Sequence, residues 1–369
     1  MRLHGQFREG RAAHEGDRRR RRLQQLSGYH GEERVTPELR DEVRRLAAAG
    51  LDRRCVAGGL ERVAGLTLEI NRLKKERGAV IAAHVYQSPE VILGIGDFTG
   101  DSYKLADDCR RTGAEAIVFC GVHFMAETAK ILNPSKKVYV PSSNAGCSLS
   151  EGITAEDLRR LKAEHPGAPV VTYINTSAEV KAESDCIVTS ANAAKILRRM
   201  YEKHEKVVFV PDRFMGANLA RELGKTPGKD IILWNGSCVV HERFDPGLIK
   251  IYRERWPGLV ALAHAECPSE LIKAVDFMGG TGDMMRYVES TNAPAYLLVT
   301  ECGFGELARL RFPGKNFIGM CRLCPYMKSI TLESVLALLK DPAAPEVTVP
   351  AGIAGRARVA IDRMFELAA

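Results

Sequence analysis

Three cysteines follow predicted strands at nearly regular intervals along the chain. The clearest is Cys238, which comes after four apolar residues and a short polar turn in the segment IILWNGSCVVHERF. Cys147 follows the strand-like KVYV, and Cys324 follows NFIG, so that the three cysteines are 91 and 86 residues apart. The carboxyl ends of strands are where α/β proteins place their chemistry. The spacing therefore predicts that the three thiols share one function.

Thiolates are soft ligands that bind zinc or iron–sulfur clusters. Repeated C-x-x-C pairs would favour structural zinc, but only Cys321 and Cys324 form such a pair here. Three widely separated cysteines at equivalent positions instead predict a central cluster with three protein ligands. In a [4Fe-4S] cluster one iron would then lack a cysteine and could act as a Lewis acid toward substrate oxygens. This arrangement favours dehydration or condensation chemistry over electron transfer.

A longer self-similarity accompanies the cysteines. The segment VHFMAETAKIL resembles DRFMGANLARE and, more weakly, CGFGELARLR, and their phenylalanines Phe124, Phe214 and Phe304 are 90 residues apart. Self-similarity at a fixed period indicates repeated architecture, and a period of this length is a whole α/β unit. Chance similarity among strand–helix elements is the alternative, but several separate landmarks agree. We predict an α/β fold of three similar three-layer αβα units related by pseudo-threefold symmetry around a central cluster site.

The repeat also predicts the domain boundaries. A helix is expected to begin at Thr36–Pro37, where a capping hydroxyl precedes proline, and a short amphipathic helix is expected over Val359–Leu367. The predicted organisation is a basic, disordered extension plus a leading helix over 1–62, α/β repeats over 63–160, 161–253 and 254–345, and a C-terminal helix packing on the body over 346–369.

Composition is that of an ordinary globular protein, with 45% apolar and 27% charged residues among 369. No apolar run is long enough to span a membrane, and no apolar stretch follows the arginine-rich start, so we expect no signal peptide and a cytoplasmic location. Ten cysteines in that setting argue against a disulfide framework. Cys109, Cys120, Cys186 and Cys302 lie in helix or strand patterns, where a small buried hydrophobic residue is the default.

The positive charge is concentrated at the start of the chain. The net charge is +7, and the first 30 residues hold eight arginines against three acidic residues, which accounts for +5. The remainder therefore has no general basic character. A nucleic-acid-binding function would have to lie in this tail, although a solvated, disordered extension is the favoured interpretation. We do not expect a nucleic acid as a partner.

Polar residues cluster at the predicted strand ends. A single histidine there is more often a structural hydrogen-bonding group, but several converging on one axis favour a functional site. Glu266 is the predicted general acid or base, with a pKa raised by desolvation and by the neighbouring histidines. The residues expected around the cluster are His84, Tyr86, Tyr173, Asn175, His241, His264 and Glu266.

Three hydroxyl residues stand at predicted helix starts. Ser102, Ser190 and Thr281 come 18, 15 and 17 residues after the strand ends at His84, Asn175 and His264, respectively. Such a hydroxyl caps a helix, and the helix N-terminus attracts anions. We expect a helix to open at Gly100–Asp101–Ser102, where the serine can cap it, and Ser190 to begin the next. Together the three would suit a small polyanionic substrate.

Several segments, in order, resemble the quinolinate synthase family of bacteria and archaea: AHVYQSPEV, GDFTGDS, VFCGVHFMAETAKIL, VTYINTSAEVKAESD, TSANA, GSCVVHE and CPYMK. The resemblance covers about Leu66 to Leu339. It implies condensation of iminoaspartate with dihydroxyacetone phosphate to quinolinate, with release of phosphate and water, in de novo NAD biosynthesis. It also implies one [4Fe-4S] cluster, held by three cysteines at the centre of a pseudo-threefold α/β protein.

Carried over by motif, the resemblance implies Cys147, Cys238 and Cys324 as cluster ligands. Proton transfers would fall to four residues: Tyr86, Tyr173, His241 and Glu266. The residues that would bind iminoaspartate are His84, Ser102, Tyr173, Ile174, Asn175, Ser190, His264, Ala265, Glu266 and Thr281. The partners implied are the two small substrates and the enzyme that produces iminoaspartate, with no membrane partner.

The chain departs from the family pattern at two positions and in its first sixty-odd residues, which have no counterpart in the core pattern. Ala265 stands where the family usually has proline, which predicts a looser loop around Glu266, and Gly280 stands where it usually has serine. Cys321 is ambiguous, because it could replace Cys324 as a ligand or pair with it as a redox switch. The competing class of function is a dithiol redox or structural-zinc protein that uses Cys321 and Cys324, which would leave the triplication unused.

Overall fold

The computed structural model describes residues 36–53, 58–341 and 343–369. The chain divides into two compact units, Met1–Arg40 and Asp41–Ala369. The described part of the first unit is the start of helix α1, Pro37–Ala48, where the Leu39 N–H donates to Thr36 Oγ1 at 3.2 Å. The predicted helix start is therefore confirmed. The predicted basic extension, with its nucleic-acid alternative, concerns residues that lie outside this description.

The second unit contains three four-stranded sheets in which every strand pair is parallel. The strands β1 to β12 are Ala79–His84, Phe98–Gly100, Ala116–Cys120, Lys137–Tyr139, Val170–Tyr173, Cys186–Val188, Val207–Val210, Ile231–Leu233, Leu259–His264, Phe277–Gly279, Ala295–Val299 and Phe317–Gly319. The strand orders are β2-β1-β3-β4, β6-β5-β7-β8 and β10-β9-β11-β12. One order repeated three times confirms the predicted fold class.

The central strands are short apolar segments, as expected for parallel sheets that helices cover on both faces. In β5 and β11 every residue is buried. The registers are equivalent as well, because β1 pairs with β3 from Ala79 and Ala116, and β9 pairs with β11 from Leu259 and Ala295. The carboxyl ends of the paired strands in each sheet therefore point the same way.

Helices connect the strands. From α2 to α17 they are Gly59–Glu76, Pro89–Ile95, Ser102–Arg111, His123–Leu132, Ser148–Glu151, Ala155–Glu164, Ala178–Ala182, Ala193–Tyr201, Arg213–Glu222, Pro246–Arg255, Ser269–Ala274, Thr281–Ser290, Cys302–Arg311, Pro325–Lys328, Leu332–Lys340 and Ala351–Ala368. Short 3-10 turns cover Leu51–Arg53 and His241–Arg243. None of the helices in the described part of the chain is long and apolar enough to cross a membrane.

The three α/β repeats contact one another through equivalent helices. Helix α5 packs against α8, α10 against α12, and α14 against α3. In each pair, the helix after the third strand of one repeat meets the helix after the first strand of the next. The contacts therefore run from the first repeat to the second, from the second to the third, and from the third back to the first.

The last two helices add packing that the repeat does not predict. Helix α16 packs on α2, and α17 packs on α8 and β6 of the second repeat. From α17, Ala357, Ala360, Ile361 and Met364 enter an apolar cluster with residues of the first and second repeats, while Val359 is 69% exposed. The predicted amphipathic helix was too short, because the structure begins it at Ala351 rather than at Val359.

Candidate active site

The first strand of every sheet ends at one shared cavity. His84 ends β1, Tyr173 ends β5 and His264 ends β9, and all three side chains line it. The predicted site residues that line the cavity are His84, Tyr86, Ser102, Cys147, Tyr173, Asn175, Ser190, Cys238, His241, His264, Glu266, Thr281 and Cys324. Ile174 and Ala265, also predicted, are buried and are not among the lining residues.

Glu266 is the centre of a buried hydrogen-bond network. Tyr173 Oη donates to Glu266 Oε1 at 2.5 Å, and His241 Nδ1 lies 2.9 Å from Glu266 Oε2. His264 Nδ1 is 3.6 Å from Glu266 Oε1, and its ring stacks on that of His241 with centroids 4.8 Å apart. The Glu266 side chain is only 4% exposed. Groups from the second and third repeats thus converge on one carboxylate.

The predicted direction of the Glu266 pKa was wrong. Burial by itself raises the pKa of this carboxyl, as the sequence interpretation assumed. His241 and His264, together with the hydrogen bonds from His241 and Tyr173, outweigh burial and hold the Glu266 pKa well below its usual value. Glu266 is therefore an anion at neutral pH and accepts hydrogen bonds with both oxygens.

Burial disfavours the charged forms of four rings near Glu266. Burial, with the neighbouring His264, lowers the pKa of His84 to about 3. Burial lowers the pKa of His264 to about 4, against the opposing effect of Glu266. Burial followed by the charge of Glu266 raises the pKa of Tyr86 and of Tyr173 well above the usual value. These shifts favour the uncharged forms of the four rings, while Glu301, a second buried carboxylate, also lines the cavity.

The loop around Glu266 is fastened from the second repeat. Asn218 of α10 donates through Nδ2 to the carbonyl oxygens of Ala265 and Cys267, both at 2.9 Å. Asn218 is 1% exposed. The substitution at Ala265 suggested a looser loop, and Asn218 supplies two hydrogen bonds that fix the residues on either side of Glu266.

The three predicted hydroxyls line the cavity, but one helix has a different cap and one predicted helix start was wrong. The N-cap of α4 is Asp101, which accepts from the Lys104 N–H, and Ser102 is the first helical residue. Helix α9 begins at Ala193 after a turn, so Ser190 precedes it. Thr281 begins α13 as predicted. A carboxylate accepts the free N–H groups as well as a hydroxyl does, so Asp101 can cap this helix from one residue earlier than Ser102.

The cysteines Cys147, Cys238 and Cys324 are free and come from the three repeats into the same cavity. Burial raises the pKa of the Cys147 thiol to about 12 and that of Cys238 well above its usual value. A buried thiol of this kind keeps its proton unless a metal takes its place, since coordination deprotonates a thiol. Three such thiols from separate loops fit a cluster with three protein ligands.

Cys321 is neither free nor paired with Cys324. It forms a disulfide with Cys302, across 19 residues of sequence. The predicted Cys321–Cys324 pair, on which both the redox switch and the competing dithiol function depended, is therefore not found. The prediction that Cys302 is a buried core residue was also wrong, because Cys302 begins α14 and is only partly buried. Cys109, Cys120 and Cys186 are buried as predicted.

Glu301 anchors the loop that carries Cys324. Its Oε1 accepts from the Cys324 N–H at 3.2 Å, and its Oε2 accepts from the Gly303 N–H at 2.6 Å. Lys328 Nζ lies 3.2 Å from Glu301 Oε1 and also donates to the Tyr86 carbonyl. Glu301 is 1% exposed, and Lys328 joins it to the Tyr86 carbonyl, so the two residues connect the third repeat with the first.

A second donor set lies beside the cysteines. Cys238, His241 and Glu266 offer ligand atoms that all lie within 4.8 Å of one another. His241 Nδ1 is 3.3 Å from Cys238 Sγ. Sulfur, imidazole and carboxylate are donors that suit transition metals, so the cavity provides ligands for a metal centre.

Comparison with known proteins identifies the family. The family model described as NadA, quinolinate synthetase A protein, matches residues 68–366. The chain belongs to this family. The chain is 46% identical over 307 residues to the quinolinate synthase of Caulobacter vibrioides strain NA1000 / CB15N, covering 82% of both chains. It is 47% identical over 293 residues to quinolinate synthase 2 of Mesorhizobium japonicum, covering 79% of this chain and 88% of the relative.

Membership in the quinolinate synthetase A family confirms the predicted resemblance and that the chain is an enzyme. The match extends beyond the predicted Leu66–Leu339 to residue 366 at its C-terminal end, and so includes most of α17. The fold, the family and the convergence of the predicted residues on one cavity therefore rest on separate observations.

Sequence reasoning missed several residues of the site. Thr300 and Glu301 follow β11, the third strand of the third sheet. Site residues were sought at the carboxyl ends of the first strands, and the same search at the end of β11 would have found these two. Thr300 Oγ1 lies 2.7 Å from Tyr86 Oη and 3.0 Å from His241 Nε2. Asn218 gave no such signal, since it lies inside a helix and acts across a repeat junction.

Proposed function

We propose that this chain is a quinolinate synthase that condenses iminoaspartate with dihydroxyacetone phosphate to quinolinate, phosphate and water. The reaction would serve de novo NAD biosynthesis in the cytoplasm, and the enzyme that produces iminoaspartate would be a partner. The observation that carries the proposal is the single cavity in which three free thiols, three hydroxyls and the Glu266 network meet. The names of the relatives support the same reaction.

The proposed cofactor is a [4Fe-4S] cluster held by Cys147, Cys238 and Cys324. With three cysteine ligands, its remaining iron would supply a Lewis acid for substrate oxygens. Glu301 and the disulfide between Cys302 and Cys321 both fasten the segment before α15, and so they position Cys324 for this role.

The anionic groups of the substrates would be held without lysine or arginine. Among the described residues that line the cavity, none is a lysine or an arginine. The hydroxyls of Ser102 and Thr281 stand at the N-termini of α4 and α13, where free N–H groups and the helix dipole favour an anion. Asn175 Oδ1 is buried without a hydrogen-bond partner in the described structure, so it is available to a substrate N–H.

Proton transfer would be the task of the Glu266 network. As an anion with two strong donors, Glu266 can stabilise positive charge that develops on His241, in the way a buried carboxylate supports a catalytic imidazole. Tyr173 holds the other carboxylate oxygen and lines the same cavity as the cysteines. A condensation with loss of water needs protons delivered and removed at separate atoms, and this network offers neighbouring donors and acceptors.

Anaerobic reconstitution followed by iron, sulfide and quinolinate analysis tests the proposal. The wild-type protein is expected to bind a cluster and form quinolinate from the two substrates. Cys238→Ala is expected to lose the cluster and the activity, whereas Cys109→Ala, a buried core change in α4, is expected to retain both. A wild-type protein that binds only zinc and no sulfide would contradict the proposal.

A further inference from the structure

A second cavity, of about 810 Å³, lies directly beside the active-site cavity. We call it the outer cavity. Asp101 and Thr281 line both cavities, so the two share a wall. None of the three cysteines of the active-site cavity is among the described residues that line the outer cavity. The shared wall therefore lies on the side of the hydroxyl residues rather than on that of the cysteines.

The shared wall is built from the same segment of all three repeats. Near the start of the helix that follows the second strand, one residue lines the active-site cavity and its neighbour lines the outer cavity. At these points a short stretch of backbone separates the two cavities. The neighbouring residues are Ser102 with Asp101, Ser190 with Ala191, and Thr281 with Gly282.

Glycines keep this wall thin at two points in the third repeat. A Cβ built on Gly282 would lie 3.3 Å from Asp101 Oδ2 and 3.5 Å from Arg286 Nη1. A Cβ built on Gly280 would lie 2.8 Å from Ser190 Oγ. The groups closest to the two glycines are therefore the ends of side chains, and such groups change rotamer readily. Their rotation can open the wall without a shift of the backbone.

The outer cavity is open to solvent and carries an excess of cations. The side chain of Lys104 is 57% exposed and that of Arg286 is 71% exposed. Each pairs with an aspartate of its own helix, so Lys195 and Arg311 provide the excess positive charge. The charged residues that line the outer cavity are Lys104, Lys195, Arg286 and Arg311 against Asp101 and Glu289. An opening lined mainly by one sign of charge concentrates solutes of the opposite sign, which here are anions.

Asn192 places an unused donor in the outer cavity. It lines that cavity and is 6% exposed. Its Oδ1 accepts from the Thr189 N–H at 2.7 Å, which fixes the orientation of the amide. Its Nδ2 has no hydrogen-bond partner in the described part of the chain. A buried donor without a partner costs free energy, and Asn192 stands at the start of α9, where the helix dipole favours negative charge. Nδ2 is therefore suited to receive an anion.

We propose that the outer cavity is the entrance to the active site and that Asn192 is the donor that receives small anions there. The cations of the outer cavity draw the anions in, and the anions then cross the wall between Asp101, Ser190 and Gly282. The inference rests on the proposed function for the identity of these anions, which are then iminoaspartate and dihydroxyacetone phosphate. The passage itself does not depend on that function, and it is measured without turnover.

The first test measures how fast a reagent reaches the inner side of the wall. Ser190→Cys places a thiol there, and Lys250→Cys places a reference thiol on α11, where the side chain is 84% exposed. The whole chain is treated with the anionic sulfonatoethyl methanethiosulfonate or with the cationic trimethylammonioethyl methanethiosulfonate. Mass spectrometry of the labelled peptides gives the rates. Relative to the reference, the thiol introduced by Ser190→Cys is expected to favour the anionic reagent about 10-fold.

Two variants fill the entrance from different repeats. Gly282→Leu adds a side chain to the wall in the third repeat, and Ala191→Phe enlarges an exposed lining residue of the second. Combined with Ser190→Cys, each is expected to slow labelling about 10-fold or more, because entry must then wait for larger motions of the wall. Ala191→Phe decides alone if Gly282→Leu fails to fold.

Gly352→Leu is the matched control for Gly282→Leu. Both glycines are the second residue of their helix, and a Cβ on Gly352 would meet nothing within 4 Å. Gly352 lines neither cavity, so the labelling rate should not change. In the reconstituted enzyme, Gly282→Leu should lower kcat/KM for both substrates about 10-fold, with iron and sulfide content as in wild type.

Asn192→Asp tests the donor. The aspartate keeps an acceptor for the Thr189 N–H and replaces the free N–H group by a carboxylate oxygen. The preference of the thiol introduced by Ser190→Cys for the anionic reagent should fall about 10-fold, and added salt should reduce the difference because it screens charge. An unchanged preference would contradict the role of Asn192.

The outcomes separate this inference from the proposed function. Labelling at Ser190→Cys that neither Gly282→Leu nor Ala191→Phe slows would show that reagents enter elsewhere, and it would overturn the entrance whatever the enzyme makes. Equal slowing by Gly352→Leu would overturn it as well, because the effect would not be local. A wild-type protein that forms no quinolinate but shows the expected labelling would remove the proposed function and leave the entrance in place.

Discussion

A single carboxylate sets the electrostatics of the cavity. Glu266 is buried, yet its charge is stabilised because Tyr173 and His241 each donate to it within hydrogen-bond distance. Burial alone would favour the neutral acid, and an isolated charge there would be costly. The two donors reverse that balance.

Glu266→Gln is expected to lower kcat by about 100-fold or more, the range of a lost general acid–base group. The amide NH₂ cannot accept from Tyr173 or His241, and the charge that supports the imidazole is gone. Glu270→Gln is the matched control, since Glu270 is 73% exposed on α12 and pairs with Lys273. Product formation and cluster content are measured together. Equal activity in the two variants would show that the charge of Glu266 is not needed.

The buried side chain of Lys181 predicts a pH dependence of stability. Burial lowers the pKa of Lys181 from 10.5 to about 8, against the opposing charge of Glu127. Between these two values the unfolded chain binds the proton and the folded chain does not, so the free energy of unfolding should rise with pH through this window. The shift corresponds to a rise of about 3 kcal/mol.

Denaturant unfolding of wild type and Lys181→Met at several pH values measures this effect. The variant lacks the Lys181 amine. Between pH 8 and 10.5 the free energy of unfolding should therefore rise in wild type relative to the variant. Lys250→Met, a change at an 84% exposed side chain, is the control and should follow wild type. Parallel curves for wild type and Lys181→Met would mean that Lys181 titrates like an exposed lysine.

The sequence was sufficient to place Glu266 in the site, since it stands at the end of an apolar strand segment. The direction of its pKa could not be predicted in the same way. The pKa of Glu266 depends on a hydrogen bond from Tyr173, which lies 93 residues earlier in the chain, and on which ring nitrogen of His241 faces the carboxylate. Thr300 was missed because it follows a third strand rather than a first one, and its neighbours Tyr86 and His241 come from the other two repeats.

At the scale of elements, close contact between the third and first repeats depends on one glycine. A Cβ built on Gly303, in α14, would lie 2.6 Å from the Tyr86 carbonyl oxygen and 2.8 Å from that of Gln87. Cβ atoms in proteins do not come this close to backbone oxygens, and the two carbonyl groups could move away only if the loop itself shifted. The helix therefore packs on the loop after β1 only because its second residue has no side chain.

Gly303→Ala is expected to lower the free energy of unfolding by about 1–3 kcal/mol, the usual range for overpacking. It should also lower kcat, because the loop it displaces carries Tyr86. Gly305→Ala in the same helix is the matched control, since its Cβ would meet only Arg309, at 3.8 Å. The control should be neutral or gain up to about 1 kcal/mol from better helix propensity. If both variants behave alike, the close contact is not important.

The sequence predicted most strands and helices because apolar segments alternate with amphipathic ones. Helix starts were less certain where two capping residues are adjacent. Asp101 and Ser102 are both suitable caps, and the chain uses the carboxylate. Near Ser190, the turn over residues 190–192 delays the helix, and Asn192 Oδ1 accepts from the Thr189 N–H instead. Such local hydrogen bonds compete with the helix and leave no periodic signal.

At the scale of the molecule, the site needs all three repeats. Each repeat supplies one cysteine and one strand end to the cavity, and each contacts the next through equivalent helices. The period of the sequence was enough to predict this arrangement. The positions of α16 and α17 could not be predicted, because an amphipathic face indicates that a helix is covered but not by which partner.

These final helices should make unfolding of the second unit cooperative. Helix α17 places Ile361, which is fully buried, in an apolar cluster that includes residues of the first and second repeats. Ile361→Ala is expected to lower the free energy of unfolding by about 2–5 kcal/mol, the usual cost of truncating a buried side chain. Val359→Ala on the exposed face should change it by about 0.5 kcal/mol or less.

Whether the lower stability of Ile361→Ala also affects the cavity depends on how cooperatively the second unit unfolds. With repeats joined in a cycle and α17 packed on the second, far-UV circular dichroism and bound iron should be lost in one denaturant transition, in wild type and in Ile361→Ala alike. The midpoint should move to lower denaturant in the variant without loss of coincidence. Release of iron in an earlier, separate transition would show that the repeats unfold independently and that the cavity depends on local contacts only.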